Sequence, residues 1–200
     1  MVVVHDDLIQ GSPEWHAKRE GLYTGANADK LLSSNGKISL IGDERKMYAQ
    51  TTSSDFKGNF HTRRGHTLED EAIEIYEQLQ KCKVARPGFI TNTKIPNAGY
   101  SPDGLREDRT VEVKAFNIKK HLDMYDNGAT FKVEAQCHFG TTIAELKLCD
   151  LVIYNPDLAK KELNGIPNPH YDPKKAIKII PIKARRAIAA NFKRKLKGAS

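Results

Sequence analysis

The chain has 200 residues, 39% hydrophobic and 28% charged, a composition that suits one soluble domain with room for a real core. No apolar run approaches the roughly 18 residues of a membrane span, and the start MVVVHDDLIQGS lacks the basic and apolar regions of a secretory signal. The net charge of +7 is unevenly placed: Pro173 to Ser200 holds ten Lys or Arg and no acid, leaving 22 basic and 25 acidic residues over the first 172, a net of −3.

A basic end on a slightly acidic body suits a polyanion such as nucleic acid, although a solvated basic helix explains the charge equally well. Cys82, Cys137 and Cys149 are an odd, scattered set. They argue for a reducing cytoplasm and against a disulfide scaffold or a cysteine-rich metal site.

In chain order, SPEWHAKREGLYTGANADKLLSS reads as a helix, a glycine turn and a second helix, with Ser12 as cap and Pro13 in the first turn. SSNGKISLIGDE reads as a loop, ERKMYAQTTSS as a short helix and DFKGNFHTRRG as a basic loop. HTLEDEAIEIYEQLQK is the clearest helix, with Leu68, Ala72, Ile75, Tyr76 and Leu79 on one face. RPGFITN and IPNAGYSPDGL predict short strands joined by turns, and TVEVKAF alternates as a strand. FKVEAQCHFGTTIAELKLC predicts a second long helix. DLVIYNPD and AIKIIPIK predict strands, and ARRAIAANFKRKLK a closing basic helix with Ile188 and Phe192 on one side. No repeat or linker divides the chain, so residues 1–200 read as one domain with a basic strand and helix at about 174–198. The order predicts an α/β fold, a mixed sheet flanked by helices.

The stretch GYSPDGLREDRTVEVKAF concentrates the chemistry. On a strand, Glu112 and Lys114 share a face while Val113 points to the other. Asp103 sits in a Pro102–Gly104 turn that a hairpin can bring near Glu112. Two carboxylates and a lysine suit a hard cation such as Mg²⁺ and phosphodiester hydrolysis. A turn and a strand with solvated charges is the plain alternative.

With its flanks, SPDGLREDRTVEVK resembles the PD-(D/E)-x-K motif as found in the phage lambda exonuclease family, the YqaJ-type viral recombinases. GSPEWHAKREGLYTG, RRGHTLEDEAIEIYE and EAQCHFG resemble further segments of that family in the same order, over roughly residues 11 to 155. The resemblance implies a restriction-endonuclease-like core. It implies that Asp103, Glu112 and the Val113 carbonyl hold metal and that Lys114 is the active-site lysine. From the residues alone Glu69 and Glu71 are equal candidates for a further acid; spacing from Gly65 in the family pattern favours Glu69. Gln136 matches a supporting glutamine, and Arg19 and Ser101 match contacts to a 5′ phosphate. Arg63 and Arg64, with His61 and His66, are candidate DNA-backbone contacts. Trp15 and His16 also match, with core packing expected for Trp15. The chain departs from the family pattern at His138, Phe139 and Ala26, where glutamine, tyrosine and serine are usual.

The resemblance implies a Mg²⁺-dependent 5′→3′ exonuclease on double-stranded DNA, with Mn²⁺ as substitute. Its products would be 5′-mononucleotides and a 3′ single strand for recombination. It also implies a homo-oligomer, a trimeric ring, and a single-strand annealing protein as partner, in a bacterial cytoplasm if the chain is phage-encoded. The alternatives are an endonuclease of the same fold and a non-catalytic DNA-binding module.

Overall fold

The computed structural model describes residues 1–32 and 60–197, with side chains described from Thr67 onward in the second segment. The loop and short helix expected between Ser33 and Ser54 lie outside the described residues. The chain runs β1 (Val2–His5), α1 (Pro13–Arg19), a 3₁₀ segment (Gly25–Leu31), α2 (Phe60–Gln80), β2 (Phe89–Asn92), β3 (Gly99–Tyr100), β4 (Gly104–Leu105) and β5 (Arg109–Ala115). It continues with α3 (Ile118–Asn127), α4 (Phe131–Ile143), β6 (Leu148–Tyr154), the small hairpin β7 (Glu162–Leu163) and β8 (Ile166–Pro167), β9 (Ile177–Lys183) and α5 (Arg186–Lys197).

The central sheet has the order β4-β5-β6-β9. β5 and β6 are parallel, Glu112 opposite Leu151, and β4 and β9 flank them antiparallel. A parallel pair needs a long crossover, which α3 and α4 supply. One sheet face packs Val111, Val113, Val152 and Tyr154 against Ala72, Ile73 and Tyr76 of α2. The other packs Leu151, Ile153 and Ile182 against Met124 of α3 and Val133 and Cys137 of α4. The far side of α4 meets a second, antiparallel sheet of order β1-β2-β3 and helix α5. Ile188, Phe192 and Leu196 of α5, four residues apart, are buried there, with Phe192 edge-on to Phe139 at 5.4 Å. Burying each such side chain contributes about 1.5–3 kcal/mol. The sequence places this apolar stripe on the basic closing helix correctly.

Several boundaries differ from expectation. The basic loop ends early, because α2 starts at Phe60. No proline interrupts Phe60–Gly65, and once a helix is nucleated each added residue gains a bond, so one internal glycine at about 1 kcal/mol does not stop it. The second long helix stops at Ile143 rather than running to Cys149. Glu145 adopts φ 54°, and Leu146 N–H donates to Thr141 O at 3.0 Å, a Schellman cap. A glutamate in the left-handed region costs roughly 1–2 kcal/mol and leaves no glycine to announce the stop. Helix α3 is a further element, capped by the Asn117 side chain accepting from Lys120 N–H and ended at Gly128, φ 87°. Strand β1 (Val2–His5), a further element, pairs with β2 and ends at the Asp6–Asp7 turn. No helix among the described residues is long and apolar enough to cross a membrane.

Candidate active site

Strand β5 delivers the central carboxylate. Its alternation sends Val111 and Val113 to the α2 core, and Glu112 and Lys114 to the opposite face, toward α4. Glu112 is 1% exposed and fully partnered. Its Oε2 accepts from the Tyr100 hydroxyl at 2.9 Å, and its Oε1 accepts from Lys114 Nζ at 2.6 Å and from Gln136 Nε2. Burial pulls the Lys114 ammonium down, but the charges of Glu112 and Asp103 outweigh it and hold it above its ordinary value. Lys114 is therefore cationic here.

Asp103 comes from the turn between β3 and β4. Its Oδ2 accepts from Val113 N–H at 2.7 Å. Residues of β5 alternate the edge to which they turn their backbone groups, and N–H and C=O of one residue share an edge. The Val113 carbonyl thus lies on the edge that faces Asp103, beyond the last β4–β5 pair, Gly104 with Val111. The turn is held from outside by Gln10, whose Nε2 donates to Pro102 O at 2.9 Å. Gly104 is required by packing: a Cβ there would stand 2.4 Å from Val84 Cγ1. Burial, then the Glu112 charge, pushes the Asp103 carboxyl well above the usual carboxylate range, with Glu69 adding to it.

Glu69 and Asp103 line one cleft of about 550 Å³ with Asp6, Gln10, Asp70 and Arg86. Glu71 points elsewhere, to the Tyr154 hydroxyl, so the fold separates the two acids that the residues alone left equal. Among the described residues no three His, Cys, Asp or Glu side chains already converge as a ligand cluster. The donors nonetheless fit a hard cation. The Glu112 charge reaches Asp103 and opposes its ionisation, and both residues, like Glu69 and the Val113 carbonyl, offer oxygen. A divalent cation relieves that repulsion, and oxygen-only donors are what Mg²⁺ prefers.

A second group lies on α1. Arg19 stacks its guanidinium on the Trp15 ring at 3.7 Å. Trp15 Nε1 in turn donates to Ser101 Oγ at 3.0 Å and to Gly88 O at 2.9 Å. Trp15 is half-buried and links Arg19 to Ser101, so the expectation of plain core packing is corrected. Ser12 caps the helix as expected, accepting from Trp15 N–H at 3.2 Å. Arg19 Nε is buried without a partner, and burial lowers the guanidinium to about 10, still protonated at neutral pH. A guanidinium stacked on the indole that bonds a serine hydroxyl has donors of the kind that pair with anions. The side chains of His61, Arg63, Arg64 and His66 lie outside the described residues; their backbone forms the first turns of α2.

Sequence reasoning missed Tyr100, Gln10 and the linking role of Trp15. Tyr100 is 1% exposed and fits only because Gly140 faces it, where a Cβ would stand 2.5 Å from the ring. The one available signal was position: Tyr100 immediately precedes the Ser101–Gly104 turn. His138 and Phe139, the departures from the family pattern, are both buried.

The sequence model of the YqaJ-like viral recombinase domain matches residues 14–146, 133 of 200 positions. The chain belongs to this family. Arg19, Glu69, Tyr100, Ser101, Asp103, Glu112, Lys114 and Gln136 fall inside the matched range; Gln10 precedes it. No curated protein shows significant sequence similarity to the chain. Among solved structures, the alkaline exonuclease LHK-Exo of Laribacter hongkongensis superimposes with a TM-score of 0.73 at 20% identity, covering 94% of this chain and 90% of that one. The same enzyme in complex with dAMP matches equally, with a TM-score of 0.73. A phage related exonuclease from Haemophilus somnus 129PT gives 0.59 at 11% identity, covering 92% of this chain and 94% of that one. These likenesses carry the fold, and the restriction-endonuclease-like α/β core expected of a YqaJ-like chain stands.

Proposed function

We propose that the chain is a Mg²⁺-dependent exonuclease that degrades double-stranded DNA from 5′ ends and releases 5′-mononucleotides, with Mn²⁺ able to substitute. The observation that carries this reading is the Asp103–Glu112–Lys114 cluster, with Glu112 buried and the carboxylates oriented by hydrogen bonds from Val113, Tyr100 and Gln136. YqaJ-like membership and the alkaline exonuclease fold support it. That LHK-Exo was solved with dAMP, a nucleoside monophosphate, supports the product assignment.

Asp103, Glu112, the Val113 carbonyl and Glu69 would hold the cation. When bound, it supplies positive charge beside the scissile phosphate and acidifies the attacking water. Tyr100 and Gln136 fix the Glu112 carboxylate so that it need not reorganise during reaction. Lys114, paired with Glu112 at 2.6 Å, keeps a cationic ammonium beside the carboxylates, where it would orient the attacking water or balance charge growing on the phosphate oxygens. Arg19, stacked on Trp15, and Ser101 take the terminal 5′ phosphate and set the end from which digestion proceeds; Arg63 and Arg64 contact the backbone behind it. The remaining expectations, a trimeric ring and a single-strand annealing protein in the bacterial cytoplasm, belong to the same reading.

The test is polarity. Duplexes labelled on either end, carrying 5′ phosphate or 5′ hydroxyl, are digested with Mg²⁺ or with EDTA. The reading expects labelled 5′-mononucleotides first from the 5′-phosphorylated end, none with EDTA. Digestion from 3′ ends would refute the polarity.

A further inference from the structure

The basic C-terminal segment does not enter the catalytic cluster, but three of its cations meet Lys147 at one cleft. A cleft of about 610 Å³ opens between the end of α4, the start of β6, the end of β9 and the first half of α5. Lys147, Lys183, Arg186 and Lys193 line it, with Leu146 and Leu148 among the apolar residues between them. Its one carboxylate, Glu145, is held by Lys94 at 2.8 Å. None of the four lining cations makes an ion pair among the described residues. The charge of Lys193 also reaches Glu145, but four cations against one carboxylate already held by Lys94 leave the cleft net positive, a charge that an anionic ligand offsets.

Behind the cleft lies a buried, uncharged histidine. His138, one turn before Thr141 of the lining, is 3% exposed, and both its ring nitrogens lack partners. Burial, then the charge of Arg185, lowers its pKa, so it stays neutral and does not add to the positive charge.

We propose that this cleft binds single-stranded DNA, the cationic rim taking successive phosphates and the leucine floor taking a base. The volume lies within the roughly 300–1,000 Å³ of small-ligand pockets, enough for a nucleotide unit. A duplex offers only phosphates to such a recess, because its bases are stacked inside; a single strand offers both. The cleft sits close to the catalytic cluster along shared elements. On α4, Gln136 and Thr141 are about 7.5 Å apart along the axis. On β6, Leu148 lies three positions, about 10 Å, from the partner of Glu112. The role of the site, holding the strand left undigested, rests on the exonuclease reading; its binding does not.

The experiment measures binding of a fluorescein-labelled oligothymidylate by anisotropy in EDTA, over a series of salt concentrations. Wild type is compared with Lys183→Gln/Lys193→Gln and, as a second pair, Lys147→Gln/Arg186→Gln, each first checked for a cooperative thermal transition. Each phosphate contact contributes about −0.7 to the slope of log K against log salt. Each double variant should therefore flatten the slope by about 1.4 and weaken binding roughly 25-fold at 0.1 M salt. Unchanged affinity and slope in the folded variants overturn the proposal. So does a loss confined to binding of polyglutamate, which would assign the cleft to an acidic protein. Digestion of a short 5′-phosphorylated duplex is followed in parallel. If wild type digests no DNA but both double variants lose oligothymidylate binding, the exonuclease reading fails and the cleft stands.

Discussion

Replacing Tyr100 by Phe tests whether Glu112 is held as described. The substitution keeps the ring, which is 1% exposed and packed against Gly25 and Gly140, and removes only the hydroxyl that donates to Glu112 Oε2 at 2.9 Å. Burial, then the nearby Glu112 charge, raises the Tyr100 pKa well above its ordinary value, so the hydroxyl is a donor throughout the working pH range. A hydrogen bond to a charged group contributes about 1.5–3 kcal/mol. A chain of this size loses about 2–4 °C of Tm per kcal/mol, so Tm in EDTA should fall by roughly 3–12 °C. Partners that orient metal-binding groups typically cost about 10–100-fold in metal affinity or activity when removed. The Mg²⁺ concentration for half-maximal digestion should rise, or the rate at saturating Mg²⁺ fall, by that factor. Thermal melts in EDTA and a Mg²⁺ titration of nuclease rate check both. A variant with wild-type Tm and wild-type Mg²⁺ dependence would refute the claim that Tyr100 positions Glu112.

Arg19→Lys keeps the charge but loses the planar fork and the stack on Trp15; the rate advantage of 5′-phosphate over 5′-hydroxyl duplex should shrink about tenfold or more, measured by initial rates on the two substrates. Asp150 is 2% exposed and accepts from Tyr76 Oη at 2.6 Å and Arg109 Nη1 at 3.1 Å. Asp150→Ala strands the buried Tyr76 hydroxyl and takes one of two carboxylates from Arg109, and should cost about 3 kcal/mol, the low end for a broken buried pair because Arg109 keeps Asp108; urea unfolding measures it. His138 has a folded pKa below its unfolded value, through burial and then Arg185. The unfolded chain therefore binds more protons below pH 6.5. The stability this group allows is complete above that pH and is lost as pH falls toward the folded pKa. His138→Gln should flatten the fall of Tm between pH 6.5 and pH 5, followed by thermal melts across that range.

Local pattern carried much of the site. The alternation of β5 placed Glu112 and Lys114 on one face, the Pro–Asp–Gly turn placed Asp103 at a strand end, and helical spacing found α2. What the pattern could not carry is contact between distant segments. Tyr100 reaches Glu112 because Gly140, forty residues on in the sequence, leaves room for its ring. Trp15 joins Arg19 to Ser101 only because α1 packs beside the turn before β4. Glu69 and Glu71, two positions apart, point to opposite sides of α2 by helix geometry alone; which side meets Asp103 and which meets Tyr154 is set by the fold. The end of α4 was hidden because Glu145 fills a position that glycine usually marks.

The most direct test of the central claim compares one DNA in two topologies. A linear duplex with 5′-phosphate ends and a covalently closed circle of the same sequence are incubated with wild type or Lys114→Ala in Mg²⁺. An exonuclease built on the Asp103–Glu112–Lys114 cluster degrades the linear form, leaves the circle intact and loses activity in Lys114→Ala. Cutting of the circle would contradict it in favour of an endonuclease, and an equally active Lys114→Ala would remove the cluster from the chemistry.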